Sequence, residues 1–446
     1  MNNLLQNRWA LISGATLSGL AYYLLGYELP RQEFGKLFLL FFLAFSAYVL
    51  LSRNLNLKTG LWLGMAFRVI FLFSLPALSD DYFRFLWDGR LLTAGENPFL
   101  HLPGFYHEQN FSGIPGLNQA LYAGLNSPHY FSVYPPVCQF IFALAGWLFS
   151  ENNLSGIIVM RLFILAAEAG TLLLLPKLLS QLGQRKENAL WYVLNPLVIV
   201  ELTGNLHFEA LMIFFTLAAF YFLNRNRYHL SALSLAFAVC SKLLPLILLP
   251  FLFRLLGLKN WLLYCSTVGA TCLLLFLPFL NAELIAHFSN SLNLYFQKFE
   301  FNASVYYLLR EIGLYLYGYN QIAFIGPLLS VITFISILAL AFRSGNNDFA
   351  TLPKQLLTGL TIYFLLATIV HPWYITTLVA LSVLAHSRYA LVWSGLAVLS
   401  YAAYQTASYT ENYWLVGLEY LGVATALLLE NRYRFHLKNQ PVPEAV

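Results

Sequence analysis

Residues 61–99 read LWLGMAFRVIFLFSLPALSDDYFRFLWDGRLLTAGENPF, and the change of character at residue 79 decides the fold class. The segment 61–78 carries one charge, Arg68, and is apolar enough to sit in lipid. The next stretch, SDDYFRFLWDGRLLTAGENPF, places Asp80, Asp81, Arg84, Asp88 and Arg90 ahead of Glu96, in a chain where such groups are scarce. The two aspartates therefore emerge where a hydrocarbon span ends.

The rest of the chain agrees. Of 446 residues 59% are hydrophobic and 17% aromatic, mean hydropathy is +0.65, and only 10% are charged, against about 25% in soluble domains. This predicts an all-α, polytopic integral-membrane protein. The four cysteines Cys138, Cys240, Cys265 and Cys272 lie in or beside apolar runs without CxxC spacing, so neither a zinc site nor a disulfide framework is indicated. The basic residues behind the net charge of +5 are scattered singly between apolar runs, so no nucleic-acid partner is expected and the charge speaks to topology instead. The N-terminal run reads as a retained helix rather than a signal peptide, because no small-residue cleavage site follows it.

Apolar runs near 8–27, 36–51 and 60–78 are helix candidates, followed by runs near 154–176, 189–202, 209–223, 230–253, 261–280, 308–341, 355–370, 373–386, 389–407 and 413–430. With short or broken pieces counted, the pattern predicts about 11–14 membrane segments. Basic residues concentrate at Arg53/Lys58, Lys177/Arg185/Lys186, Arg225/Arg227, Arg254/Lys259, Arg343/Lys354, Arg388 and Arg432/Arg434/Lys438. The positive-inside rule puts these connections in the cytoplasm. Loop 79–134 and segments 203–208, 281–307, 371–374 and 408–412 then share the outer face. Parity forbids two full crossings between 134 and 176, and PPVCQFIFALAGWLF, short and opened by Pro135 and Pro136, is the segment expected to be a re-entrant or interfacial piece. LSALSLAFAVCSKLLPLILLPFLF, with basic connections on both sides, reads as a broken hairpin with its apex at SKLLP. One integral-membrane domain, 1–446, is expected.

Asp80, Asp81, Arg84, Asp88 and Arg90 have spacings that a short surface helix would gather on one face. A juxtamembrane helix laced by salt bridges explains the same pattern without chemistry. Lys242 lies between two apolar arms, and an ionisable group there is a functional-site expectation unless it snorkels to the headgroups. Arg68, Arg161 and Glu168 fall inside spans. Arg161 and Glu168, seven residues apart on one helix face, are expected to form a structural network. No HExxH, DxD, G-x-S-x-G or P-loop pattern occurs, which argues against hydrolase and ATPase readings.

Several segments together resemble the polyprenol-phosphate-mannose-dependent mannosyltransferases of the GT-C class: SDDYFRFLWDGRLLTAGENPF, VYPPVCQFIFAL, ALWYVLNPLVIVELTGNLHFEALM, CSKLLPLILLPFLF, FNASVYYLLR and HPWY, in family order over roughly residues 60–375. Where the family pattern is N-x-H-x-D, this chain has Asn205, His207 and Glu209. The resemblance implies a catalytic module over 60–375, extra helices over 1–59, and C-terminal helices with a cytoplasmic tail over 376–446. It also implies an inverting transfer of a sugar, mannose in the family, from a polyprenyl phosphate to a glycan, lipid or other hydroxyl acceptor on the outer face of a bacterial-type inner membrane.

A phosphate leaves without protonation, so one base suffices, and Asp80 and Asp81 are the expected catalytic pair. Adjacent carboxylates repel; Arg84 or a divalent metal, Mg or Mn, is the expected counter-cation, and the sequence does not choose between them. Lys242 and Arg310 are expected at the departing phosphate. Arg84, Asp88, Arg90, Asn205, His207, Glu209, His371 and Tyr374 are expected at the donor phosphate or sugar. A transporter or lipid flippase is the rival reading, and would place polar groups near the bilayer midplane.

Overall fold

The computed structural model describes residues 2–111, 113–297, 299–343, 348–406 and 409–438, with residues 2–7, 292–297 and 433–438 described as backbone. The tail cations Arg434 and Lys438 and residue 408 of the 408–412 loop thus lie outside the described side chains. Regular structure among the described residues is helical, apart from an isolated parallel bridge between Phe301 and Ile369. Seven helical segments are long and apolar enough to cross a bilayer: Arg8–Tyr27, Phe34–Asn54, Asn153–Gln181, Leu244–Phe279, Ile322–Phe342, Phe349–Leu366 and Tyr413–Arg432. Pro196–Gly204 with Glu209–Leu223 makes an eighth if taken as one span bent by 115°; Pro136–Leu148, Tyr228–Val239 and Pro372–Leu384 are shorter apolar helices. The chain is a polytopic helical membrane protein with short and broken helices, as the GT-C resemblance implies. Large exposed apolar side chains such as Trp62, Leu173, Phe334 and Trp414 form the surface expected to face lipid.

Three runs depart from expectation. The 60–78 run is helical only over Leu57–Ile70, started by Asn56, whose side chain accepts from Thr59 N at 2.9 Å. Pro76 restricts Leu75 and withholds an N–H, so residues 71–80 leave the helix as turns. The 308–341 run is two helices, Val305–Tyr317 and Ile322–Phe342, parted at Gly318 with a left-handed φ of 77°. The 189–202 run breaks at Asn195–Pro196, where the Asn195 side chain caps Val198 N at 3.2 Å.

The hairpin over 228–256 forms as expected: Tyr228–Val239 runs to an apex at Ser241–Leu243, and the chain returns through Leu244–Ile247 into the next helix. Gly257, at φ 71° and ψ 161°, then breaks the Leu248–Phe276 helix. Pro136–Leu148 is too short to span and lies against the Asp81–Thr93 helix at a glycine crossing. A Cβ on Gly89 would meet Phe142 O at 2.1 Å, and one on Gly146 would meet Gly89 O at 2.6 Å.

The intramembrane charges form two separate networks, not one. Arg68 pairs with Glu168 at 2.7 Å, and the Tyr192 hydroxyl donates to the same carboxylate at 2.7 Å. Arg161 instead donates to four carbonyls, those of Leu72, Ser74, Thr203 and Gly204, at 2.7 to 3.0 Å. Those oxygens belong to the turns where two helices stop, which leaves carbonyls without intrahelical partners. Two turns of separation on one face did not make Arg161 and Glu168 partners, because each found a better one on a neighbouring element.

Candidate active site at the Asp81 end of the bundle

Sequence-distant segments converge at one end of the bundle: the 28–33 connection, the start of the Asp81–Thr93 helix, the 205–208 turn, the Ser241–Leu243 apex and the 368–374 turn. Acidic residues at the start of the Asp81–Thr93 helix suit its positive dipole end. Asn205 ties the preceding segment in place, accepting from Leu78 N at 3.0 Å and donating to Glu201 at 3.1 Å. Its neighbour Leu206 is buried at a left-handed φ of 65°, a conformation costing on the order of 1–3 kcal/mol for a side-chain-bearing residue. The apex is held by Val137 N, which donates to Cys240 O at 3.0 Å.

The two aspartates have different surroundings. Asp80 pairs with Arg31 at 2.8 Å, and Arg31 also donates to the Tyr409 hydroxyl at 2.8 Å and packs over the Tyr404 and Tyr409 rings. Asp81 accepts from Asn126 at 2.7 Å. Burial pushes the Asp81 carboxyl above the ordinary carboxylate range; the Asn126 hydrogen bond and the Lys242 charge oppose that rise, and the Glu209 charge adds to it.

Lys242 forms an ion pair with the buried Glu209 and lies 4.3 Å from the centre of the Tyr374 ring. Its side chain keeps about a third of its surface open. Beside it runs a stack of rings: Phe301 on His371 at 4.9 Å, His371 on Trp373 at 4.2 Å, and Trp373 on His207 at 4.0 Å. Burial, then the Lys242 charge, push His371 down to about 3, which leaves it neutral at physiological pH. His207 Nδ1 faces the Glu201 carbonyl at 2.9 Å and its carboxylate at 3.1 Å, which assigns the proton to Nδ1 and an open lone pair to Nε2. Both His207 Nε2 and His371 Nδ1 are buried without a hydrogen-bond partner among the described residues. Buried polar atoms are ordinarily satisfied, so these two nitrogens stand out beside the partly open lysine.

The structure places four expected site residues elsewhere. Arg84 is the partner of Asp88, at 2.7 Å, and donates to Tyr130 O. Asp88 also accepts from Ser132 and Gln139, so both its oxygens are engaged in packing. Arg90 donates to Gly116 O and Asn153, fastening the loop that holds Gly116 to the start of the Asn153–Gln181 helix. Helical spacing that could turn residues to one face also buries those farther along the helix. Arg310 pairs with Glu300 and Glu311 at 2.8 and 2.7 Å and packs on Tyr307 and Tyr413, so its charge is already compensated. Among the described residues no group of three or more His, Cys, Asp or Glu is placed to hold a metal. The cation beside Asp80 is Arg31.

Arg31, Asn126, Glu201 and Tyr401 were not expected at this end. Glu201 lies in a quoted motif and receives the Tyr401 hydroxyl as well as Asn205. Its signal was an acid in an apolar run. Arg31 and Tyr401 carried none, because their partners lie 49 and 200 residues away.

Comparison with known proteins bears on the family. Residues 31–257 match the family model described as alpha-(1->6)-mannopyranosyltransferase, N-terminal domain, which is half of the chain. Over 224 residues the chain is 27% identical to Alpha-(1->6)-mannopyranosyltransferase A of Mycobacterium tuberculosis (strain ATCC 25618 / H37Rv), covering 46% of this chain and 42% of that protein. The chain thus matches less than half the length of this curated relative. The matched region begins at Arg31 and ends at the Gly257 break, and it contains Asp80, Asp81, His207, Glu209 and Lys242. The chain belongs to the alpha-(1->6)-mannopyranosyltransferase family of GT-C membrane proteins.

Proposed function

We propose that the protein transfers a mannosyl residue from a polyprenyl-phosphate donor to an acceptor hydroxyl on the extracytoplasmic face of a bacterial-type inner membrane, with inversion at the anomeric carbon. The observation that carries this reading is the juxtaposition of Asp81, whose proton affinity is raised, with the one-third-open Lys242 and two orphaned imidazole nitrogens. A raised carboxylate is a stronger base for an alcohol proton. Asp81 takes that proton as the acceptor oxygen bonds to the anomeric carbon. The bond from that carbon to the phosphate oxygen breaks, and the electron pair leaves with the polyprenyl phosphate. Lys242 then stands beside the phosphate as its negative charge grows. Neutral His207 and His371 receive sugar hydroxyls, with Tyr374 nearby as a ring face. Asp80, fixed by Arg31, orients the helix start rather than moving a proton.

An acceptor has room to approach from the outer loop. A groove of about 640 Å³ there is lined by His101, Phe105, Tyr122, His129 and Phe131, and Asn126, the Asp81 partner, precedes its lining residue Pro128 by two positions in sequence. The outward orientation draws support from Arg225 and Arg227, which follow the far end of the Glu209–Leu223 helix. The gathering of polar groups at one end favours transfer over transport, which uses a midplane site.

Membranes bearing the parent protein, Asp80→Asn or Asp81→Asn are incubated with labelled polyprenyl phosphomannose. Donor consumption falls at least about a hundredfold in Asp81→Asn and less in Asp80→Asn; an unchanged rate in Asp81→Asn overturns the base assignment. Orientation is read separately: after Asn110→Cys or Arg225→Cys, a membrane-impermeant thiol reagent on intact cells labels only the former.

A further inference from the structure

The helix Glu209–Leu223 starts at the Lys242 partner and runs away from it for 15 residues, about 22 Å at the helical rise. Beyond its far end, Arg225 faces a groove of about 430 Å³ that it shares with Lys177 and Lys186. Lys177 belongs to the Asn153–Gln181 helix and Lys186 to the short turn that follows it. All three are exposed. Among the described residues no acidic side chain lines the groove, and the nearest one in sequence, Glu187, is turned to Arg185 at 3.6 Å. Arg225 is fixed over the Tyr221 ring at 4.6 Å, which orients its charge without neutralising it.

Part of the lining is apolar: Leu61, Leu172 and Leu173 belong to it, and Leu173, one helical turn before Lys177, is 62% exposed. Pro176, also in the lining, withdraws one N–H from that helix at this level. Three like charges around one small groove repel each other and call for an anion. An exposed apolar lining calls for a chain attached to that anion. Basic pockets between membrane helices on the cytoplasmic side answer both demands when they hold an anionic lipid headgroup.

We propose that this groove is a binding site for an anionic phospholipid, its phosphate held by Lys177, Lys186 and Arg225 and an acyl chain laid along Leu61 and Leu173. The site is independent of the mannosyl-transfer reading, since none of its residues approaches Asp81 or Lys242. A lipid seated there would join the helix that begins at Glu209 to the one that carries Arg161.

The full-length protein is purified, reconstituted in nanodiscs of phosphatidylcholine with and without phosphatidylglycerol, and read by native mass spectrometry for retained lipid and by thermal melting. The parent retains phosphatidylglycerol at least about tenfold over phosphatidylcholine and melts higher in its presence. Both effects disappear in the Lys177→Gln/Lys186→Gln/Arg225→Gln variant and persist in Lys58→Gln, an exposed cation outside the lining. Equal retention by parent and triple variant overturns the site. An equal loss in Lys58→Gln reduces it to general surface charge. Glycerol 3-phosphate added in water must not displace the lipid or raise the melting temperature; if it does, the groove holds a soluble anion and the lipid assignment fails.

Discussion

Arg31 Nη1 lies 2.8 Å from Asp80 Oδ2, across 49 residues of sequence. This contact separates the roles of two adjacent carboxylates: Asp80 is neutralised by a guanidinium that Tyr404 and Tyr409 hold in place, while Asp81 faces Asn126 and the Lys242 charge. Arg31→Gln is expected to lower transfer, and Arg31→Gln/Asp80→Asn to be no worse than the poorer single variant. A double-mutant cycle on transfer rate gives a coupling of about 1 kcal/mol or more, as for a partly shielded pair. Strict additivity would remove Arg31 from the site.

With Asp81 as the proposed base, the acid limb of the pH–rate profile is expected to report its carboxyl. Its carboxyl is raised in the folded protein, so the active carboxylate is lost as pH falls through that raised value. Asn126→Ala removes an influence that lowers it and moves the limb to higher pH, by about half a unit to one unit for a lost hydrogen bond. Glu209→Gln removes an influence that raises it, and moves the limb down. The same direction in both variants would show that the limb belongs to another group.

Lys242→Met is expected to raise the apparent KM for polyprenyl phosphomannose about tenfold or more, with the expressed amount kept by adding Glu209→Gln. The second change matters because Glu209 is buried and would otherwise carry an unpaired charge. Unaltered donor affinity in the double variant removes the phosphate role of Lys242.

The crossing of the Asp81–Thr93 and Pro136–Leu148 helices depends on missing side chains. Gly89→Ala forces a methyl into Phe142 O and is expected to destabilise by about 1–3 kcal/mol, although alanine is the better helix former. Gly269→Ala, with nothing within 4 Å of its Cβ position, serves as the control and is expected to be neutral or stabilising in a thermal melt. A melting temperature unchanged in Gly89→Ala would mean that the crossing is looser than described.

Arg161→Lys is expected to behave nearly as badly as Arg161→Gln. Four carbonyls on two turns accept from a planar guanidinium, and an ammonium cannot span that fork. Leaving buried carbonyls unpaired costs about 1–3 kcal/mol each. Monodispersity in size-exclusion chromatography and the melting temperature read the outcome, and wild-type behaviour in Arg161→Lys would contradict it.

The helical membrane architecture was legible in the sequence, because runs of apolar residues interrupted by Lys and Arg have few other solutions. The hairpin with its apex near Lys242 was legible for the same reason. Where the runs break was less so. Gly318 and the Asn195–Pro196 step are local signals inside stretches that hydropathy alone joins, and the end of the third run at Ile70 depended on Pro76 and on turns that Arg161 satisfies from another helix.

What the sequence by itself determined was which residues were worth watching: Asp80, Asp81, His207, Glu209, Lys242, His371 and Tyr374 are polar or charged where the chain is otherwise apolar, and the fold gathers them at one end. Only the tertiary structure decided their partners. Local spacing offered Arg84 to the aspartates at 80 and 81, but Arg84 is spent on Asp88, four residues along the same helix, and Arg31 arrives from another connection. Arg90 and Arg310 looked equally available and are equally spent. Composition fixes how costly an isolated charge is in lipid. Which counter-charge or carbonyl relieves that cost depends on distances of a few ångströms between helices, and those are set by packing, which no single segment contains.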